Sequence, residues 1–210
     1  MNFRLLVLAV SATALAFAQG ESDSAFQVRY ASNLNVGDSV INITNTGARG
    51  GVTLQSGTTA STGGAICANV YAFSADEQLV SCCSCPVTPN GLVSLSARGD
   101  LISNTLTPAV PTSIVVKILA TVPVAGSCTN SAAGVTTATL APGLAAWGTT
   151  VHAGVTAGTT AITEGAFKPA TLSASELSRL GNLCNFILAN GSGFGVCRSC
   201  RLGGLGGAKQ

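Results

Sequence analysis

The chain has 210 residues, with ten Lys or Arg against eight Asp or Glu and a formal net charge of +2. Charge this sparse and this balanced creates no long-range field, which excludes nucleic acid as a general partner. Gly, Ala, Ser, Thr and Val dominate and aromatic residues are only 5% of the chain, usage that suits strands and tight turns better than long helices.

The first residues, "MNFRLLVLAVSATALAFAQG", place a single positive charge, Arg4, before a short apolar run that ends in small residues. That order is a secretory signal peptide over residues 1–18, with cleavage expected after Ala18. The run is too short for the roughly 20 apolar residues of an anchor helix. Residues 19–25 read as a polar leader, residues 26–200 as one β-rich domain, and residues 201–210 as a flexible Gly-rich tail. Residues 114–124 are apolar but short and carry Lys117, and residues 131–163 are interrupted by Gly, Thr, Pro and His152. No transmembrane span is therefore expected after signal removal, and the mature chain should be secreted, periplasmic or at the cell surface.

"FQVRY", "SVINITNTG" and "GVTLQSG" alternate apolar and polar residues, the period of half-buried strands, and predict three short antiparallel strands. In "GAICANVYAFSADEQLVSCCSCPVTPNGLVSLSA" the polar set Ser74, Ala75, Asp76 and Glu77 can turn. Residues 79–85 then run back, and Thr88-Pro89-Asn90-Gly91 turns again before residues 92–97. The pattern predicts a three-stranded meander. "TSIVVKILATVP" is apolar throughout except for Lys117, as expected of a central strand covered on both faces. A long loop should follow, punctuated by Ala141-Pro142-Gly143, with strands near residues 148–153 and 159–163.

One segment breaks the β pattern. "SASELSRLGNLCNFILANGSG" opens with Ser173 and Glu176 spaced as a capping box. Leu177, Leu180, Leu183 or Cys184, Ile187 and Leu188 recur at helical spacing, and Asn190-Gly191 offers a left-handed stop. A single helix near residues 174–190 follows, with Gly181 as a point of close packing.

The eight cysteines are Cys67, Cys82, Cys83, Cys85, Cys128, Cys184, Cys197 and Cys200. Their even number on an exported chain points to disulfides. Two alternatives use the same residues. Cys82/Cys85 and Cys197/Cys200 have the C-x2-C spacing with which thiolates hold zinc, and Cys197-Arg198-Ser199-Cys200, followed by Arg201, has the form of an exchange-active dithiol. Among disulfide pairings, a hairpin turning at 74–77 brings Cys67 opposite residues 82–85, so a partner for it in that cluster is expected. Neighbouring Cys82 and Cys83 point to opposite faces of a strand and should take different partners, one of them in the C-terminal segment. Eight cysteines allow about a hundred connectivities, and spacing does not choose among them.

Catalytic groups are sparse. His152 is the single histidine, and no serine sits in a nucleophile motif. Asp76-Glu77 is the only adjacent acidic pair and falls in a predicted turn, while Asp23, Asp38, Asp100 and Glu164 are isolated. "GARGG" and "RLGGLGG" do not join a strand to a helix as a phosphate cradle does. Trp147 is the aromatic residue to watch for sugar binding, although a packing role is the commoner one. Arg179, Arg198, Arg201 and Lys209 follow the last acid, Glu176, and such a basic end is ordinarily solubilising.

At "GAICANVYAFSADEQLVSCCSCPVTPNGLVSLS" and "NGSGFGVCRSC" the chain resembles a group of secreted bacterial proteins with no assigned function. The resemblance implies export and a shared fold, and no activity. Small fungal surface-active proteins also carry eight cysteines, but in a pattern with two Cys-Cys pairs where this chain has one.

The expectation is a mainly β protein: an antiparallel β-sandwich-like domain with one C-terminal α-helix, stapled by disulfides. Its expected function is that of a non-enzymatic structural or binding protein of the cell surface, envelope or extracellular matrix, without cofactor, metal or catalytic residues. Its partners are unassigned, self-association or contact with another surface being the kind the composition suits. The alternatives are a secreted hydrolase using His152 and a Cys-ligated zinc-binding module.

Overall fold

A computed structural model of the chain describes residues 24–51, 63–131 and 134–198. The expected signal peptide, most of the leader, the "GVTLQSG" strand beyond its first residue, Cys200 and the tail lie outside the described residues.

Nine strands and one α-helix are described: β1 (Phe26–Ala31), β2 (Val40–Asn45), β3 (Ile66–Phe73), β4 (Leu79–Val87), β5 (Leu92–Ser96), β6 (Ile114–Thr121), β7 (Leu144–Ala153), β8 (Thr160–Ala166), β9 (Lys168–Pro169) and α1 (Ala174–Ala189). They form two antiparallel sheets, one ordered β4-β3-β6-β1-β9 and the other β5-β2-β7-β8. The five-stranded sheet is the middle layer. One of its faces packs on the four-stranded sheet through Ile66, Ala68, Val70 and Ala72 of β3, Cys83 and Cys85 of β4, and Ile41, Ile43 and Leu95 opposite. The other face packs on α1, with Tyr71, Phe73, Cys82 and Leu119 against Leu177, Leu180, Cys184 and Ile187.

Coverage of both faces explains why β3 is buried at every residue and why β6, central as expected, is buried throughout its second half, Ile118 to Thr121. The four-stranded sheet has one wet face, and β2 and β5 alternate accordingly. This difference corrects the expected meander. The β3–β4 hairpin forms, closed by Glu77 N–H to Ser74 O at 3.0 Å. β5 then leaves β4 and pairs with β2 in the other sheet, because a half-polar strand belongs where one face meets water. The turn at 88–91 is a crossing between layers, with Asn90 at φ 59° and the buried Asn45 amide donating to Gly64 O at 2.9 Å and Val87 O at 3.0 Å. β1 and β2 likewise enter different sheets rather than pairing with each other.

Helix α1 starts as expected, with Glu176 N–H donating to Ser173 Oγ at 3.1 Å. The second half of the capping box does not form. The Glu176 carboxylate instead meets Lys117 Nζ at 2.5 Å and Arg179 at 3.7 Å. Both cations lie over the Phe73 ring, at 4.7 and 5.2 Å from its centroid, which fastens the helix start to β6 and β3 by charge and cation–π contact. Gly191 stops the helix at φ +66°. Residues 144–153 form a longer β7 than expected, entered through Gly143 at φ +100°.

Two polar side chains tie the sheets across the interior. Gln27 donates to Leu144 O at 2.7 Å. Arg29 donates to Gly165 O at 2.8 Å and to Thr150 Oγ1 at 3.2 Å. Gly148 and Gly165 are cross-strand partners that make the slot for this guanidinium. A Cβ at Gly148 would stand 2.5 Å from Arg29 Nε. Replacing Gly148 with Ala is expected to destabilise the fold by about 1–3 kcal/mol through overpacking. Adding Arg29→Ala should recover part of that loss in a urea-denaturation double-mutant cycle. Simple additivity would refute the slot.

Tyr71 is fully buried and its hydroxyl has no hydrogen-bond partner among the described residues. Burial pushes its phenol up from the ordinary value. The folded protein therefore keeps Tyr71 neutral where the unfolded chain ionises it, so its contribution is complete below about pH 10 and falls as pH rises beyond that. In urea titrations Tyr71→Phe should leave stability at pH 7 nearly unchanged and flatten its decline above pH 10. An unaltered alkaline slope would count against the assignment.

Candidate functional site

The cysteine cluster on β4 organises the candidate site. Within a strand, successive side chains alternate between faces, so Cys82 points toward α1 and Cys83 toward the other sheet. Cys82 is bonded to Cys184 of α1, with Cα atoms 5.9 Å apart. Cys83 is bonded to Cys197, with Cα atoms 5.4 Å apart. Different partners for the adjacent pair were expected from the alternation, but only one of them in the C-terminal segment; both lie there.

The chain after α1 returns along the edge of β4. Cys82 N–H donates to Gly195 O at 2.9 Å, and Cys197 N–H donates to Cys82 O at 3.3 Å. Gly195, at φ +74°, is needed here because a Cβ would stand 3.0 Å from Ile187 and 3.3 Å from Leu106. Leu106 N–H donates to Val80 O at 3.0 Å farther along the same edge. Part of an edge open to another chain is thereby paired within this one.

Cys67 departs from expectation. Its partner is Cys128, at a Cα separation of 5.3 Å, and not a member of the β4 cluster. The register gives the reason. Cys67 faces Pro86 on β4, whereas Cys82 faces Tyr71, four residues along β3. That offset is about 13 Å, well beyond disulfide reach, and Cys83 and Cys85 point to the other face. On its other side Cys67 faces Thr121, the last residue of β6, so the chain leaving β6 passes beside it and delivers Cys128.

Cys85 is also disulfide-bonded, and no described cysteine is free. These pairings correct both alternative uses of the motifs. Cys197 is committed to Cys83, so Cys197-x-x-Cys200 is not an internal dithiol. Cys82 and Cys85 are both oxidised, and cystine sulfur has no thiolate to offer zinc. Among the described residues no group of three or more His, Cys, Asp or Glu could hold a metal ion.

A cleft of about 240 Å³ opens where these bridges meet. The Cys82–Cys184 cystine, Leu188 and Val196 form apolar wall, and Ser84, Thr129 and Asn130 supply polar groups. Cys128, half-exposed, brings the second cystine to the same cleft. Leu188, expected in the buried stripe of α1, is 42% exposed at this opening. The Ser84 hydroxyl donates to Asn69 Oδ1 at 2.7 Å, and Asn69 Nδ2 in turn donates to Leu119 O at 3.0 Å and Thr121 Oγ1 at 2.9 Å. This chain of bonds across β4, β3 and β6 holds the wall in place. Asn130 is 2% exposed, its Oδ1 and Nδ2 are shielded from solvent, and neither has a hydrogen-bond partner among the described residues. Among the described residues no Lys, Arg, His, Asp or Glu lines the cleft.

The other sequence candidates lie elsewhere. His152, near the end of β7, has Nε2 2.9 Å from Thr163 Oγ1 on β8, a cross-strand contact in which neither serine nor carboxylate takes part. Trp147 is half-buried on the outer face of the four-stranded sheet, between Asn42 and Ala166. The Asp38 carboxylate accepts from Ser96 Oγ and the Arg98 N–H, and that of Asp100 accepts from the Ser96 N–H, so both cap the turn after β5. Asp76, in the β3–β4 turn, accepts from the Ser74 hydroxyl, which holds its carboxyl below the usual range. Asp23 lies outside the described residues. Asn130, Thr129 and Val196 carried no motif, and the nearby Cys128 and Cys197 are the only local sign of them in the sequence.

Comparison with protein-family models, with curated protein sequences and with solved structures finds no match to this chain.

The bridge Cys82–Cys184 spans 102 positions and Cys67–Cys128 spans 61. Loop-closure entropy then predicts that the double variant Cys82→Ala/Cys184→Ala loses about 3–5 kcal/mol of unfolding free energy, and that Cys67→Ala/Cys128→Ala loses about 0.5 kcal/mol less. Guanidinium unfolding of the two variants gives the comparison; a loss below 1 kcal/mol for the first would show that packing, not the bridge, holds α1 on β4.

Proposed function

We propose that this chain is exported through its amino-terminal signal and serves as a non-enzymatic structural or binding protein of the cell surface, envelope or extracellular matrix. The observation that carries the reading is the set of disulfides. Three bridges join residues 61, 102 and 114 positions apart, and cross-links of this kind persist where thiols are oxidised outside the cytosol. The resemblance of its cysteine motifs to secreted bacterial proteins agrees with this.

Two further features favour binding over turnover. The outer face of the four-stranded sheet presents Val40 and Leu92, 38% and 61% exposed, beside Thr44, Asn42 and Ser94, a sparsely charged surface suited to contact with another surface. The cystine-lined cleft has the concave shape and polar floor of a recognition site. No described helix is long and apolar enough to cross a membrane.

Expression of the full chain in a bacterial host, followed by fractionation and intact-mass analysis, tests the proposal. The expected product lies in the exported fraction, begins at Gln19, and weighs about eight mass units less than its fully reduced form, as four disulfides require. A cytosolic product that retains residues 1–18 and titrates with thiol reagents would overturn it.

A further inference from the structure

We propose that two copies of this chain pair through the outer edge of β8, strand against strand and antiparallel, so that their four-stranded sheets join into one continuous sheet. The inference rests on the reading of this chain as a structural or binding protein and deepens it by naming the partner, a second copy.

The backbone is the starting point. β8 is the last strand of its sheet and has β7 on one side only. At the two ends of the β7–β8 register, Gly154 N–H donates to Thr159 O and Phe167 N–H donates to Ala146 O, each at 2.8 Å. Facing residues of an antiparallel ladder alternate between bonded and unbonded pairs. Ala161, Thr163 and Gly165 therefore bond to β7, and the N–H and C=O of Thr160, Ile162 and Glu164 point away from it. Among the described residues no backbone group meets these three on that side.

The other three sheet edges are short, capped or covered. β4 is met by Leu106, Gly195 and Cys197 and carries Pro86. β9 is the dipeptide Lys168–Pro169. β5 has five residues, and its last N–H, that of Ser96, is taken by the Asp100 carboxylate. β8 has seven residues, "TAITEGA", with neither proline nor lysine to blunt its edge. Residues 160–164 are exposed, whichever face of the ladder their side chains take, and Ile162 is 67% exposed. A ladder end open at its faces and along its edge is a template for a further strand.

The side chains of β8 complement their own copy. A two-fold axis at Ile162 sets Ile162 against Ile162 of the partner subunit, and Thr160 against Glu164 of the partner subunit. The three facing pairs then exchange about six main-chain hydrogen bonds. The two Ile162 side chains meet on the outer face, each beside the partly buried Val151 of its own β7. Each Glu164 carboxylate, the single charge of the strand, faces a threonine hydroxyl that can donate to it. The two carboxylates are four residues apart along the strand, about 13 Å, beyond the screening length of about 8 Å at physiological salt. The join therefore sets no like charges against each other and covers an exposed isoleucine with its equal.

Purified, oxidised, signal-free protein is followed by sedimentation velocity over a concentration series and by residue-resolved hydrogen exchange in NMR. A reversible monomer–dimer equilibrium is expected. The Ile162 and Glu164 amides should exchange at least tenfold more slowly as dimer forms, while those of Ala161 and Thr163, already bonded to β7, change little. Ile162→Pro removes an outward N–H that β7 does not use, and Ile162→Lys sets two like charges at the axis. Both should weaken dimerisation at least tenfold, and Ile162→Lys, at an exposed position, should leave the melting temperature of the monomer unchanged. Val155→Lys, at the exposed tip of the β7–β8 hairpin, should dimerise as wild type. The proposal is overturned if the protein stays monomeric up to millimolar concentration, if it dimerises without slowing exchange at Ile162 and Glu164, or if Ile162→Lys dimerises as wild type. The export reading fails on fractionation and mass, and this one fails on the oligomeric state of protein already shown to be oxidised, so the two failures are distinguishable.

Discussion

The architecture depends on the alternation of two adjacent side chains on one strand. Because Cys82 and Cys83 leave β4 on opposite faces, one sulfur holds α1 against the outside of the five-stranded sheet, and the other draws the chain after α1 back to the interior between the sheets. A helix of this length is marginal alone in water. Bonded through Cys184 and packed through Leu177, Leu180 and Ile187, it becomes a third layer. The returning segment in turn covers part of the β4 edge, so one dipeptide governs a face, a core contact and an edge.

Covering both faces of a sheet imposes a condition on its polar groups: each must find a partner within the protein. Asn69 meets it by bonding across three strands and Asn45 by closing the crossing between layers, while Arg29 meets it at its two terminal nitrogens, which reach Gly165 O and Thr150 Oγ1, and not at Nε, which has no partner among the described residues. Lys117, the one charge on the central strand β6, reaches Glu176 and the Phe73 ring at the helix start. The same accounting makes Asn130 an exception. Its amide has no partner among the described residues, as is also true of Arg29 Nε, Tyr71 Oη and Ser81 Oγ.

The cleft and the bridges are one construction. Its walls are cystines and the residues they immobilise, so recognition there draws on a surface with few soft degrees of freedom. A preorganised surface of this kind loses little entropy on binding. Such a site would be poorly served by long charged side chains, and the composition of this chain supplies few.

Much of the fold is legible in the residues. Period-2 alternation marks β1, β2 and β5, the unbroken apolar run marks β6, the Ser74–Glu77 and Pro89–Gly91 stretches mark turns, and the Ser173 cap with its apolar spacing marks α1. The two faces of β4 and the separate fates of Cys82 and Cys83 also follow from local geometry. The allocation of strands to sheets does not, since β5 could continue the meander locally and joins β2 only because a second sheet exists to receive it. Pairing of Cys67 with Cys128 depends on strand register and on where β6 ends. The cleft, with Asn130, Leu188 and Val196 from three separate segments, depends on all the layers at once. Sequence by itself determined the elements and the oxidised character of the chain, because backbone propensity, side-chain period and cysteine chemistry act over a few residues. Tertiary structure alone decided the partners, because contact between residues far apart in the chain is set by register and packing rather than by either residue's neighbours.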